Sequence, residues 1–274
     1  MTLQQADQLD RGAQGNSEAI RYEIDGEVAC ITLNRPSLFN AFNREMLFDL
    51  RMAVDAARTD DNVRAVLLTG AGGAFCAGAE LAEPGAEVPE PADEILRRYY
   101  NPVILSLREM PKPVVVAVNG VAVGAGMSLA MAGDILVAAD SASFSCAFSR
   151  VGLAPDAGSS HFLPRAVGYH RALALMLLSP RIDADAALAS GLVWRIFPAP
   201  ELSSVARQIA QQLASGATQA FALTKQALLA SATNALAEQL ELEAALQMQA
   251  VATSDFTEGV AAFRQRRSPK FKGR

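Results

Sequence analysis

In the first half of the chain, apolar residues gather in short, nearly unbroken runs. The runs are rich in β-branched residues, and this pattern predicts strands that are buried on both faces of a parallel sheet. They lie at 63–69, 113–118 and 135–139, with a short fourth at 143–144. A hairpin is predicted at 20–33, where an Asp25-Gly26 turn separates two strands.

Between and after these runs, the apolar positions recur at helical spacing. The predicted helices are 43–59, 93–109, 124–132, 203–214, 218–230 and 233–252. The segment 82–94 is rich in proline, glycine and acidic residues and predicts a surface loop. Strands that alternate with helices, followed by helices alone, indicate an α/β core with a helical C-terminal part.

Composition and charge narrow the class of partner. The chain has 274 residues, of which 51% are hydrophobic, enough for one large core or for a core with a small appendage. A net charge of -5 argues against nucleic acid as a partner, because phosphate binding needs a basic face. A basic cluster between Arg264 and Arg274 is typical of a solvated tail.

Targeting and metal-binding signals are weak. Residues 1–17 are polar and predict a flexible leader rather than a signal peptide. No run of ~20 apolar residues occurs, so no membrane span is predicted. The three cysteines, Cys30, Cys76 and Cys146, lie far apart, which argues against a disulfide framework or a zinc site and favours the reducing cytoplasm.

Two glycine-rich segments, 75–81 and 119–129, follow predicted strands. A helix start presents unpaired N–H groups, and small residues let a ligand approach the backbone. Two such sites facing each other would form an oxyanion hole. Either segment alone is more often an ordinary turn. A dinucleotide fingerprint is discounted because Gly124-x-Gly126 lacks the third glycine.

These two segments, in this order, resemble the crotonase (enoyl-CoA hydratase/isomerase) superfamily. Further matching motifs are ITLNRP at 31–36, NAF at 40–42, GLAPDAG at 152–158, LPRAVG at 163–168, Ala184-x-x-Ala187-x-x-x-Gly191-Leu192-Val193, Gly259-x-x-Ala262-Phe263 and Pro269-x-Phe271. The resemblance implies an α/β fold with a spiral core of repeated ββα units over 18–202. It also implies a helical C-terminal trimerisation region over 203–274.

The resemblance also implies where substrate would bind. The family holds the thioester oxygen with two backbone N–H groups, which by position belong to Ala79 and Ala125. The positions that match coenzyme A contacts are Ala77, Gly78 and Leu81, Arg35 near the phosphates, and Phe263 and Arg266 from a neighbouring subunit. The implied partner is an acyl-CoA, with no membrane and no cofactor beyond the coenzyme A of the substrate. The implied assembly is a homotrimer or a hexamer.

Hydratases of this family activate water with two glutamates, and the motifs place those positions at Ser128 and Phe148. Neither residue can act as a carboxylate base, so both are assigned to an acyl pocket and little hydration is expected. Asp156 matches the position that carries the acid in family members that shift double bonds. An enoyl-CoA isomerase with Asp156 as acid and base is therefore the leading hypothesis.

Several alternatives stay open at this point. Asp156 could instead cap the helix that follows it, since its neighbours form a good capping sequence. An aryl-CoA dehalogenase would use an aspartate here together with a tryptophan and an upstream histidine. Phe148 replaces that tryptophan, and both histidines, His161 and His170, lie downstream. Another crotonase reaction, such as residual hydration, and an acyl-CoA-binding relative without catalysis are the remaining hypotheses.

Overall fold

The computed structural model describes residues 19–80 and 91–274. The strands are β1 (Ile20–Asp25), β2 (Val28–Leu33), β3 (Ala65–Gly70), β4 (Ala74–Cys76), β5 (Val114–Val118), β6 (Val121–Val123), β7 (Ile135–Ala139), β8 (Ser143–Ser145), β9 (Ile182–Asp183) and β10 (Arg195–Phe197). The helices are α1 (Arg44–Thr59), α2 (Ala92–Glu109, with a π-helical segment at Leu96–Tyr100), α3 (Ala125–Met131), α4 (Ser159–Val167), α5 (Tyr169–Leu178), α6 (Ala184–Ala189), α7 (Ala199–Ala214), α8 (Thr218–Ala230), α9 (Leu236–Val251) and α10 (Ser254–Gln265). Two 3₁₀ turns complete the set, Pro36–Leu38 and Phe148–Val151.

The strands form a six-stranded and a four-stranded sheet. The first has the order β1-β2-β3-β5-β7-β10 and is parallel except for the β1–β2 hairpin. The second has the order β4-β6-β8-β9 and is parallel except for β9. The successive pairs β3–β4, β5–β6 and β7–β8 each give one strand to each sheet, and helices follow. This arrangement is the repeated ββα spiral, and the predicted fold class is confirmed.

The long apolar runs are the central strands of the larger sheet. Every residue of β5 is buried, and its register pairs Val115 with Ile135 of β7 on one side and with Leu67 of β3 on the other. A strand covered on both faces needs apolar side chains on both, so its sequence shows no alternation. The three predicted buried strands and the 20–33 hairpin are confirmed.

Of the five strands of two or three residues in the described part of the chain, β8 was predicted, as the short strand at 143–144, and the other four were not. β4, β6 and β10 have three residues each and β9 has two, too few to show a periodicity. The glycine-rich segments are therefore not simple turns after long strands. Each contains a short strand of the second sheet, and this sheet carries them toward one another.

Helix α7 begins at Ala199, four residues before the predicted start at 203, because Pro200 is well tolerated in the first turn. The helix packs on β3 and β5 of the larger sheet. The proposed division at 202/203 therefore falls inside a helix that covers the core, and the division into domains stays a prediction.

Two other predictions concern the ends of the described ranges. The flexible leader predicted for 1–17 lies outside the described residues, as does most of the loop predicted for 82–94. The predicted end of that loop at residue 94 is wrong, because α2 begins at Ala92 with Pro91 as its N-cap. Among the described residues, no helix is both long and apolar enough to span a bilayer.

One buried polar residue organises the loop between β2 and α1. Asn40 is fully buried, has a left-handed backbone (φ 57°), and accepts a hydrogen bond from the Arg35 N–H at 2.8 Å. Its side-chain amide donates to the carbonyls of Ala71, Ala74 and Phe75 at 3.0, 2.8 and 3.1 Å. Asn40 thus fastens this loop to β4, at the edge of the first glycine-rich segment.

Replacing this asparagine is expected to destabilise the protein strongly. Asn40→Ala leaves the buried carbonyls without their shared donor, and we expect a loss of about 2–4 kcal/mol in the free energy of unfolding. Urea denaturation at a fixed protein concentration measures it. Asn234→Ala is the control, because the Asn234 side chain bonds only to Gln239 in a half-buried place and should cost less than about 1 kcal/mol. Equal losses in the two variants would contradict the assigned role of Asn40.

Candidate active site

The first glycine-rich segment leaves one backbone N–H group free. A parallel bridge joins Phe42 to this segment: Phe42 donates to the Gly78 carbonyl at 2.7 Å, and Glu80 donates to the Phe42 carbonyl at 2.9 Å. Ala79 lies between these two bonds, so its N–H points to the opposite side of the strand. Within the described residues this N–H has no hydrogen-bond partner.

The second free N–H group belongs to Ala125, the first residue of α3. An N–H at this position has no partner inside its own helix. It finds none elsewhere in the described parts of the chain. Gly124, the residue before it, has a φ of 53°, which turns the chain from β6 into the helix. The second glycine-rich segment thus contains the start of a helix whose first N–H group is left unpaired within the described residues.

The two segments touch each other at Gly78. A methyl group placed on this glycine would lie 2.8 Å from the Val123 carbonyl oxygen and 3.6 Å from the Ala125 nitrogen. The φ of Gly78 is 92°, a conformation that residues with a side chain rarely adopt. Because the Ala79 N–H follows directly after Gly78, both donors border the same small space. The structure thus brings the two segments into contact at Gly78, and an oxyanion hole formed by the N–H groups of Ala79 and Ala125 stays a prediction.

The predicted acid, Asp156, lies in the turn that precedes α4. Its Oδ1 atom is buried and has no hydrogen-bond partner among the described residues. Burial alone raises the pKa of this carboxyl to about 6, because the charged form loses hydration. A carboxyl in this range exchanges a proton readily near neutral pH.

The capping alternative for Asp156 is wrong. Helix α4 begins at Ser159, and its N-cap is Gly158 with a φ of 84° and no side-chain capping bond. Asp156 contributes only its backbone carbonyl, which accepts from the Ser159 N–H at 2.9 Å. Ala157 has a φ of 47°, which is costly for a residue with a side chain. The turn therefore contains a strained residue directly after Asp156, although the Asp156 side chain does not cap the helix.

Ser128 and Phe148, assigned to the acyl pocket, are both buried. The Ser128 hydroxyl is used within the protein, where it contacts the Gly124 carbonyl, the Asp156 carbonyl and the Ser159 hydroxyl. Phe148 opens the 3₁₀ turn after β8. The structure thus leaves no carboxylate at either of the two hydratase positions, and their pocket role stays a prediction.

The residues assigned to coenzyme A fall into three groups. Ala77 and Gly78 lie beside the free Ala79 N–H, whereas Leu81 lies outside the described residues. Arg35 is already engaged, with an ion pair to Glu80 at 2.8 Å and a bond to the Ala41 carbonyl at 2.6 Å. A phosphate would have to share this guanidinium with Glu80. No sequence pattern indicated the pairing of Arg35 with Glu80.

Phe263 and Arg266 lie at the end of α10. Phe263 is 86% exposed, so within one chain its ring covers nothing of the site. Arg266 is also exposed and takes a left-handed backbone that ends the helix. Both remain predicted contributors from a neighbouring subunit.

The histidines do not belong to this site. His161 is exposed on α4 and lines a cavity of about 720 Å³ together with Met131, Phe162 and Trp194. That cavity lies at the far end of α3, and none of the predicted site residues lines it. His170 is exposed on α5. In the described part of the chain, no group of three His, Cys, Asp or Glu residues could hold a metal ion.

The Asp156 carboxyl predicts a pH dependence. A base acts in its deprotonated form, so the rate of proton removal should be low at pH 5 and rise to a plateau above about pH 7, with a midpoint near the pKa of about 6. The pH profile of kcat/KM for α-proton exchange on an acyl-CoA measures it, because this constant reports the pKa of the free enzyme. A profile that is flat from pH 5 to pH 8 would contradict the assignment.

Comparison with known proteins identifies the family of this chain. Residues 23–274 match the family model described as enoyl-CoA hydratase/isomerase, so the chain belongs to the crotonase superfamily. It is an enzyme family that acts on acyl-CoA thioesters.

Two curated relatives cover nearly the whole chain. The 1,2-epoxyphenylacetyl-CoA isomerase of Escherichia coli is 42% identical over 94% of this chain and 99% of its own length. A probable enoyl-CoA hydratase of Rhodobacter capsulatus is 44% identical over 93% of this chain and 98% of its own length. A crystal structure of a putative enoyl-CoA hydratase/isomerase from Mycobacterium abscessus superposes with a TM-score of 0.87 at 39% identity, covering 93% of this chain and all of the other.

Proposed function

We propose that this chain is an enoyl-CoA isomerase that moves a double bond by a 1,3-proton shift. The observation that carries the proposal is Asp156: a half-buried carboxylate whose Oδ1 atom is buried and has no partner among the described residues, in a turn bonded to the helix whose first N–H is the proposed oxyanion donor. The names of the relatives include both isomerase and hydratase, so the choice between these reactions rests on the residues of the site.

The proposed reaction uses one carboxylate twice. Asp156 removes a proton from the α-carbon of a 3-enoyl-CoA, and the electron pair moves onto the thioester oxygen. The N–H groups of Ala79 and Ala125 stabilise the resulting dienolate, which bears more negative charge on oxygen than the thioester does. Asp156 then returns the proton to the γ-carbon, which gives the 2-enoyl-CoA and restores the carboxylate. No water enters and no group leaves.

The same site is poorly equipped for hydration. Adding water across a double bond needs a base to activate the water and an acid to protonate carbon, whereas Ser128 and Phe148 supply neither. The buried Phe148 also removes polarity from its surroundings. A single carboxylate therefore favours transfer of a proton between two carbons of one substrate.

A direct comparison of two substrates tests the proposal. A 3-enoyl-CoA should be converted to its 2-isomer with unchanged mass, while crotonyl-CoA should gain no water at an ordinary enzyme rate of ~10 per second. Mass spectrometry separates the two outcomes, because hydration adds one water and isomerisation adds nothing. Rapid hydration of crotonyl-CoA together with an inert 3-enoyl-CoA would overturn the proposal.

A ring-bearing acyl-CoA is a second candidate substrate. The relative named 1,2-epoxyphenylacetyl-CoA isomerase matches almost the whole of both chains, which supports an isomerisation on a cyclic acyl group. The same acid and the same two N–H donors would serve it. A panel that includes straight-chain and cyclic acyl-CoA thioesters ranks the two classes by kcat/KM.

We further propose that the enzyme is a cytoplasmic homotrimer, alone or paired as a hexamer. Several apolar side chains on α9 and α10 are exposed in the single chain. They are Leu236, Leu240, Met248, Val251, Phe256 and Phe263. An apolar surface of this kind is usually covered by a partner. In the trimer, Phe263 and Arg266 would reach the coenzyme A of a neighbouring subunit. Sedimentation equilibrium measures the assembly, and a monomer would contradict it.

A further inference from the structure

Two buried hydroxyl groups connect the Asp156 turn to helix α3. The Ser128 Oγ lies 2.7 Å from the Ser159 Oγ, 3.2 Å from the Asp156 carbonyl oxygen and 3.2 Å from the Gly124 carbonyl oxygen. Ser128 is fully buried and Ser159 is 1% exposed. Among the described residues, these serines supply the only hydrogen bonds that run from α3 to the turn.

The chemistry of the groups limits how these hydrogen bonds can run. Carbonyl oxygens only accept, and each hydroxyl has one proton to give. When Ser159 donates to Ser128, the single Ser128 proton is shared between the carbonyls of Asp156 and Gly124. In that direction, one hydroxyl connects both carbonyls.

The two carbonyls belong to the two halves of the candidate site. Gly124 is the residue directly before the Ala125 N–H, which is one of the oxyanion donors. Asp156 is the residue whose side chain is the acid. A bond from one hydroxyl to both backbones therefore sets the distance between the oxyanion donor and the base.

We propose that Ser128 and Ser159 are positioning residues, which hold the Asp156 carboxylate at a fixed place relative to the Ala125 N–H. This inference rests on the proposed function, and it adds the hydrogen bonds that align the acid with the oxyanion donor. A 1,3-shift needs such a device, because the same carboxylate must reach two carbons while the thioester oxygen stays in place. A small displacement of a catalytic group costs roughly 100-fold in rate.

Removing either hydroxyl should lower kcat and leave binding nearly unchanged. Ser128→Ala and Ser159→Ala should each reduce kcat for α-proton exchange by roughly 10- to 100-fold, with KM changed by less than about twofold. The double variant should be little worse than either single one, because both remove the same connection. Ser128→Thr keeps the hydroxyl and should recover most of the rate. Ser159→Thr serves the same purpose if the added methyl group prevents Ser128→Thr from folding.

The pH profile provides a readout that general weakening of the fold would not change. Burial is the only cause of the raised Asp156 pKa, and no charged side chain of the described residues contributes. A turn released from α3 admits more water, so the midpoint of the kcat profile should move below its wild-type value in both alanine variants. Ser143→Ala is the matched control, since Ser143 is also buried and bonded, to Arg181, but lies at the start of β8.

The outcomes separate this inference from the proposed function. Loss of kcat with a lowered midpoint in the Ser128 and Ser159 variants, and not in Ser143→Ala, supports the positioning role. Unchanged kcat and midpoint in folded Ser128→Ala and Ser159→Ala overturn it, as does an equal loss in Ser143→Ala. Proton exchange by the Asp156→Asn enzyme at the wild-type rate would instead overturn the proposed function. This outcome is independent of the results for the serine variants.

Discussion

Asp156→Asn is expected to lower kcat for the 1,3-proton shift by about 1000-fold or more. The amide has the same shape as the carboxyl, but it cannot accept a proton from carbon and return it. General acid–base groups contribute about 10²- to 10⁴-fold to enzymatic rates, and here one group performs both transfers. KM should change little, because the thioester oxygen is bound by the two N–H groups and not by the carboxylate. Steady-state kinetics on a 3-enoyl-CoA measures both constants.

Asp49→Asn is the matched control for this variant. Asp49 lies on α1 and also has a buried carboxylate oxygen without a partner in the described residues. The same chemical change there should leave kcat within about twofold of wild type, because distant substitutions act independently. An Asp156→Asn enzyme that retains more than a tenth of the wild-type kcat would contradict the role of Asp156.

The loss of activity should not come from unfolding. The pKa of Asp156 is raised in the folded protein, so folding favours the protonated acid and stability falls as the pH rises from about 4 to about 6. Above that range the protein holds a buried charge that an amide would not carry. Because the side chain is only partly buried, we expect Asp156→Asn to raise the free energy of unfolding at pH 7.5 by roughly 1 kcal/mol.

Ala125→Pro is expected to lower kcat by about 100- to 1000-fold. Proline lacks the N–H group, and its ring would fill the space in front of the nitrogen. Removal of one oxyanion donor costs about 10²- to 10³-fold in other enzymes. Ala125 is the first residue of α3, a position where helices accept proline, so the helix itself should survive. Kinetics on a 3-enoyl-CoA and far-ultraviolet circular dichroism measure activity and helix content.

Tyr169→Pro provides the control for the backbone change. Tyr169 is also the first residue of a helix, and the residue before it, Gly168, also has a positive φ. Its side chain is exposed, and it is not one of the residues assigned to the site. This variant should retain wild-type kcat. Full activity in Ala125→Pro, or an equal loss in Tyr169→Pro, would contradict the assignment of Ala125 as a donor.

The sequence predicted the parts of the fold that burial determines. The runs that became β3, β5 and β7 are covered on both faces, so their composition alone indicates buried strands. The short strands β4, β6, β9 and β10 carry no such signal, and they form because neighbouring strands of their sheets already lie in place. The π-helical segment in α2 likewise left no recognisable pattern.

The candidate site also has features that the sequence predicted and features that it did not. The family motifs placed Ala79, Ala125 and Asp156, and the structure shows that the two glycine-rich segments meet at Gly78 and that the Asp156 side chain is no helix cap. Asn40 and Ser159 were missed as organising residues, since a polar side chain gives no sign in sequence of which distant carbonyl it will meet. Ser128 was assigned to an acyl pocket at a hydratase glutamate position, whereas its hydroxyl joins two backbone segments 32 residues apart, counted from Gly124 to Asp156.

We propose that one half-buried carboxylate, Asp156, moves a proton between the α- and γ-carbons of an acyl-CoA held by the N–H groups of Ala79 and Ala125. The most direct measurement incubates the enzyme with a 3-enoyl-CoA in heavy water and locates deuterium by NMR. We predict deuterium at both carbons with wild-type enzyme, conversion to the 2-enoyl-CoA, and no exchange above background with Asp156→Asn. Binding of the thioester with no deuterium at either carbon would contradict the claim.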